Sequence, residues 1–123
     1  MTSVLIVDDE LFIVELYRDI LQLRGYRVVG TAFDGEEALR KYSQSSEKPD
    51  VVIMDHRMPV MNGVEATREI VKMNPTAKVI FVSADVFVEK EARDAGAVDF
   101  LPKPFRMDDL IEMMERISNS RGH

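Results

Sequence analysis

The chain has 123 residues, 46% of them hydrophobic, with no cysteine and a formal net charge of -6 from 22 acidic and 16 basic side chains. That length suits one compact domain that buries about two-thirds of its unfolded surface, with no room for a second, and without thiols there are no disulfides or thiolate metal sites. The acidic balance argues against direct nucleic-acid binding, and no leader or apolar run of roughly 20 residues marks a membrane segment, so the expectation is a soluble cytoplasmic protein.

Residues 4–7 form a short β-rich run and predict a first strand. After Asp8, Asp9 and Glu10 comes a segment with Ile13, Leu16, Ile20 and Leu23 at helical spacing, which stops at Gly25, a residue suited to a C-terminal cap. A second strand is predicted over residues 27–32. Asp34 then opens a second helix, with Glu37 three residues on and placed to reach back to the free amides. Pro49 marks a turn before a third strand at 51–54, and Asn62 with Glu65 repeats the capping pattern at the start of a third helix. Asn74 and Pro75 make the next turn, before a fourth strand at 78–82. A fourth helix at 89–95 ends at Gly96, a fifth strand covers 98–101, and a fifth helix begins near Asp108 with Leu110, Met114 and Ile117 inward. The strands read as apolar throughout, as in a sheet buried on both faces. Five such units without linker or repeat predict a single-domain α/β fold: an open, parallel, doubly wound sheet with its ligand crevice at the carboxyl ends of the strands.

Asp8 and Asp9 follow the first strand, Asp55 the third and Ser83 the fourth, while Lys103 lies just beyond the fifth, so all five are expected at that crevice. Three carboxylates gathered there repel one another, and short of protonation the remedy is a hard divalent cation with oxygen ligands, for which magnesium fits best. Asp55 is then placed to attack a phosphorus atom in line while the metal, Lys103 and the Ser83 hydroxyl hold the equatorial oxygens, leaving an aspartyl phosphate. Each residue alone has a plainer reading as turn, cap or solvated charge. Their coincidence at successive strand ends argues for chemistry.

With these residues in place the chain resembles, over essentially its whole length, the receiver domains of two-component response regulators. The stretches that carry the resemblance are "LIVDDE", "VVIMDHRMPVMNG", "VIFVSAD" and "AGAVDFLPKPF". It implies a CheY-like, flavodoxin-like (βα)5 fold with strand order 2-1-3-4-5, and Asp55 as phosphoacceptor. Asp9 and Asp55 would be direct metal ligands with the Arg57 carbonyl, Asp8 would act largely through water, and Lys103 and Ser83 would contact the phosphoryl group. The resemblance further implies a cis Lys103–Pro104 peptide that aims the amine inward, and Phe100 as an aromatic switch that turns when Ser83 moves. The implied donor is a sensor histidine kinase or phosphotransfer protein. The implied output is a protein contact through the fourth helix, fifth strand and fifth helix, with no turnover beyond self-phosphorylation and slow dephosphorylation. Residues 1–123 are expected to be a stand-alone receiver without an output domain, monomeric or dimerising on phosphorylation.

Three features depart from the pattern. The chain between Ser83 and Lys103 is slightly shorter than usual, so the fourth helix is expected to be short or displaced. "VFV" at 86–88 stands where a polar turn is usual, and either folds inward or presents an apolar patch to a partner or second copy. Arg57 and Asp85 flank the mouth and are expected to shield the phosphoryl group, with an ion pair between them conceivable. Strand alternation turns His56 away from Asp55, while Pro59 and Gly63 shape the following loop and Met58 fills core space. Rival readings are a magnesium-dependent phosphohydrolase with an aspartate nucleophile, a flavin- or nucleotide-binding module, and a phosphorylation-independent interaction module. Against the first stands Arg57 in place of a second acid; against the second, acids where phosphate-cradling glycines are expected.

Overall fold

Apolar runs and amphipathic segments alternate along the chain, and each pair folds as a strand followed by a helix that crosses back over the sheet. A computed structural model describes residues 1–120, with side chains to residue 118. The elements are β1 (Ser3–Val7), α1 (Leu11–Leu23), β2 (Arg27–Ala32), α2 (Gly35–Gln44), β3 (Val51–Asp55), α3 (Gly63–Met73), β4 (Val79–Ser83), α4 (Glu89–Ala95), β5 (Asp99–Pro102) and α5 (Met107–Ser120). A 3-10 turn at Val86–Val88 leads into α4. All strand pairs are parallel and the order is β2-β1-β3-β4-β5, as the resemblance implies.

The central strands β1, β3 and β4 are buried at every position. Alternation sends Leu5, Val7, Val52, Met54, Val79 and Phe81 into one core with α2, α3 and α4. Val4, Ile6, Ile53, Ile80 and Val82 enter the other with α1 and α5. Uniform burial fails at β2. It is the sheet edge, with one neighbouring strand, and Arg27 and Val29 are exposed. Its register jumps from Val4↔Val28 to Leu5↔Gly30, leaving Val29 as an extra residue, a bulge of the kind that blunts an exposed edge.

The buried stripe of α1 is Val14, Tyr17 and Leu21. Leu16 and Leu23, expected at helical spacing with Ile13 and Ile20, are exposed. Leu16 lies one residue from the buried Tyr17 and Leu23 two from the buried Leu21, which is about 100° and 200° around the helix. The strands β4 and β5 also run one residue later than the apolar runs suggest. The Ser83↔Pro102 pair closes the ladder, and an apolar criterion does not see either residue.

Helix ends follow their capping chemistry. The Asp34 carboxylate accepts the Glu37 amide at 2.7 Å, the Glu37 carboxylate accepts the Phe33 amide at 2.6 Å, and Asn62 accepts the Glu65 amide at 2.9 Å. Such caps contribute about 1 kcal/mol each. Gly25 and Gly96 take φ of +90° and +117°, and the residues after them, Tyr26 and Ala97, donate back to the Leu21 and Ala92 carbonyls at 3.0 Å. A Cβ on Gly96 would lie 2.7 Å from the Val71 side chain, so this end of α4 is seated directly on α3.

Candidate functional site

The order of strands reverses between β1 and β3, since one continues to β2 and the other to β4, and a crevice opens at their carboxyl ends. Asp8 follows β1 directly. Its amide donates to the Ala32 carbonyl at 3.0 Å and its carboxylate accepts the Glu10 amide at 3.0 Å, leaving the side chain 1% exposed. Asp55 is the last residue of β3 and 8% exposed, whereas Asp9 is open to solvent. Oxygens of Asp8, Asp9 and Asp55 lie within 4.8 Å of one another. The Lys103 ammonium donates to Asp55 at 3.2 Å and to Asp8 at 3.5 Å, and the Lys103 amide donates to the Ser83 carbonyl at 2.9 Å. Ser83 ends β4, with its hydroxyl oxygen accepting the Asp85 amide at 3.1 Å. A cleft of about 430 Å³ is lined by Asp9, Asp55, Arg57, Ser83, Asp85 and Lys103, together with Glu10 and Ala84. The five residues expected at the strand ends are thus brought together.

Their charges are unbalanced. Burial, and then the charge of Asp8, pushes the Asp55 carboxyl up to about 6 in spite of Lys103. Burial raises Asp8 as well, against the Glu10 amide and Lys103. Burial pulls Lys103 down, but Asp55 and Asp8 more than restore it, and it stays an ammonium. One lysine among three carboxylates leaves room for a hard divalent cation, and an all-oxygen donor set within so small a sphere fits magnesium.

The loop after Asp55 approaches it closely. A Cβ on Gly63 would lie 2.1 Å from the Asp55 carbonyl oxygen, and the Gly63 amide donates to the His56 carbonyl at 2.9 Å. Between them Val60 holds φ +70° while the Met61 amide donates to the Pro59 carbonyl at 2.7 Å, a tight turn rarely built on a β-branched residue. Nothing in the sequence signals it. His56 packs its ring 5.7 Å from that of Phe81, on the expected side away from Asp55, and its buried Nδ1 has no partner. Met58 packs against the core.

Phe81 in turn stacks on Phe100, with centroids 6.0 Å apart and planes 14° from parallel. Phe100 is 6% exposed, so its ring lies inside while the Ser83 hydroxyl is still engaged by Asp85. The Lys103–Pro104 peptide is cis. Among the described residues no ion pair joins Arg57 to Asp85. The Asp85 carboxylate instead accepts the Phe87 amide at 3.0 Å and caps the 3-10 turn. The "VFV" segment divides: Val88 is buried, Val86 is exposed, and Phe87 is 90% exposed. Two residues the sequence reading passed over also belong here: Glu10 in the cleft wall, and Tyr17, whose one signal is an aromatic on the inward stripe of α1.

A doubly wound sheet that gathers three acids, a hydroxyl and a lysine at its switch point defines a receiver domain, and residues 4–115 match the response regulator receiver domain family, to which the chain belongs. It is 44% identical over 117 residues to the chemotaxis protein CheY of Thermotoga maritima, an alignment covering 94% of this chain and 96% of that one. Among solved structures, the CheX–CheY complex with BeF3 and magnesium from Borrelia burgdorferi superposes with a TM-score of 0.89 at 32% identity, covering 94% of this chain and 88% of that one. The response regulator TrrA of Thermotoga maritima, in complex with magnesium and BeF, gives 0.86 at 37% identity, with 95% and 99% covered. The chain is a phosphoacceptor response regulator of two-component signalling, and neither the phosphohydrolase nor the interaction-module alternative is favoured. Receiver domains of this kind bind magnesium at such an acidic cluster and are generally not enzymes. Among the described residues no helix is long and apolar enough to cross a membrane.

Proposed function

We propose that Asp55 accepts a phosphoryl group from the phosphohistidine of a sensor kinase or phosphotransfer protein, and that the new charge is read out as a changed protein-binding surface. The observation that carries this reading is the placement of Asp55: 8% exposed, 3.2 Å from the Lys103 ammonium, with two further carboxylates beside it. An Asp55 oxygen attacks phosphorus in line, the bond from phosphorus to the donor imidazole breaks, and that nitrogen takes up a proton. Lys103 turns its donors from the carboxylates to a phosphoryl oxygen, and Ser83 rotates its hydroxyl from Asp85 to another. Magnesium, held by Asp9, Asp55 and the Arg57 carbonyl with Asp8 acting through water, would supply positive charge against the acids and the phosphoryl oxygens. Arg57 stands exposed at the cleft wall and screens the acyl phosphate from water.

Readout runs through the 83–88 segment. Ser83 is joined to the Asp85 amide and the Asp85 carboxylate to the Phe87 amide, so a rotation at Ser83 is felt at an exposed aromatic ring. Movement of the inner ring of Phe100 accompanies it, and the surface of α4, β5 and α5 with Phe87 at its margin contacts the downstream protein. No enzymatic step beyond self-phosphorylation and slow hydrolysis is needed, which suits a stand-alone receiver working in the cytoplasm. Intact-mass spectrometry after incubation with a small phosphodonor and magnesium tests the reading. A single base-labile phosphoryl adduct on the native chain, absent from Asp55→Asn, is the expected result. No adduct would leave a receiver-shaped interaction module.

A further inference from the structure

Tyr17 lies at the centre of the inward stripe of α1 and is 4% exposed. Its ring meets that of Phe105 with centroids 6.1 Å apart and planes tilted by 38°. Phe105 is two residues beyond Lys103, on the stretch between β5 and α5, and is itself only half-buried. Upstream, Lys103 is held by its amide on the Ser83 carbonyl at 2.9 Å. Downstream, Pro104 has no N–H to give, so packing must do what a hydrogen bond would otherwise do. Burial first, and then the charges of Asp8, Asp55 and Glu10, raise the pKa of the Tyr17 phenol, and it stays neutral.

We infer that Tyr17 is a positioning residue for the phosphoacceptor site: its ring braces Phe105 and so holds the Lys103 ammonium in its bridge between Asp55 and Asp8. The inference rests on the reading of Lys103 as the phosphoryl contact. It has a consequence that general destabilisation does not share. An ammonium fixed between two carboxylates repels a second cation brought to the same acids, yet favours the phosphoryl group once it arrives. Loosening it therefore strengthens magnesium binding while slowing phosphoryl transfer. A cleft that is merely disordered loses both.

The test compares the full native chain with Tyr17→Leu, Phe105→Leu and the conservative Tyr17→Phe. Magnesium affinity is read by titration calorimetry and phosphorylation rate with phosphoramidate. Both leucine variants are expected to bind magnesium about threefold more tightly and to phosphorylate about fivefold more slowly, and Tyr17→Phe, which keeps the ring, to restore both quantities. Magnesium affinity that is unchanged or weaker in the leucine variants overturns the inference. If Tyr17→Leu does not fold, Phe105→Leu removes the same contact from its half-buried side and decides alone. A native chain that takes up no phosphoryl group would sink the acceptor reading, and the magnesium comparison would still judge Tyr17.

Discussion

Asparagine at position 55 keeps the shape of the side chain and removes a charge that folding has buried. In the native protein this carboxyl rises from 3.8 to about 6, chiefly through burial and then through Asp8. A difference of roughly two pKa units corresponds to about 3 kcal/mol against the ionised folded form. Because the folded pKa lies above the unfolded one, the folded state holds the proton more tightly. The native stability from this group is therefore intact below about pH 4, falls as the pH rises toward 6, and is fully lost above that. Asp55→Asn escapes the loss, although it also gives up the 3.2 Å contact with Lys103. The net expectation is a variant about 2 kcal/mol more stable than the native protein near neutral pH in chelator, with the gap closing toward pH 4. Urea melts of both proteins across that range, with and without magnesium, read it directly. Added magnesium should stabilise the native chain more than the variant and narrow the gap. A variant that is less stable at neutral pH, or a gap that ignores pH, would refute the electrostatic account of the cluster.

Three further outcomes follow from the loop and the mouth. Val60→Gly removes a left-handed conformation that costs a β-branched residue about 1 to 3 kcal/mol and adds back less than about 1 kcal/mol of chain entropy, so thermal melting should move upward by a few degrees; a lower midpoint would contradict the turn. Gly63→Ala puts a methyl group 2.1 Å from the Asp55 carbonyl oxygen and should destabilise the protein by about 3 kcal/mol or more, read by urea unfolding, whereas near-neutral behaviour would mean the loop gives way freely. Arg57→Ala should shorten the phosphoryl lifetime about twofold, the scale of an exposed side chain with no partner at Asp85, and an unchanged lifetime removes Arg57 from the account.

What the sequence revealed depended on how many faces of an element are covered. The strands β1, β3 and β4 have neighbours on both sides and helices above and below, so unbroken apolar runs place them to within one residue, and the acids after β1 and at the end of β3 come with them. At the sheet edge β2 lacks that constraint, and its exposed Arg27 and Val29 break the rule. The inward face of α1 is not legible from its period because the helix is apolar over more than half its circumference. Leu11, Phe12, Leu16 and Leu23 all face solvent, and periodicity does not choose among adjoining stripes. The turn at Val60 runs against residue preference altogether. In the sequence Asp85 stands as a charge available to Arg57, whereas its place two residues before the Phe87 amide commits it to capping.

The two ends of α4 are fastened very differently. Its last turn rests on Val71 through Gly96, where there is no space for a side chain, while its first turn follows the 3-10 segment with no side-chain cap. A seven-residue helix is about 10 Å long. Val88 just before it and Ala92 within it are buried in the core, so a displacement of about 1 Å at the Phe87 end relative to Gly96 is a tilt of about 6° for the whole rod. The same displacement at the end of a longer helix would turn it through a smaller angle.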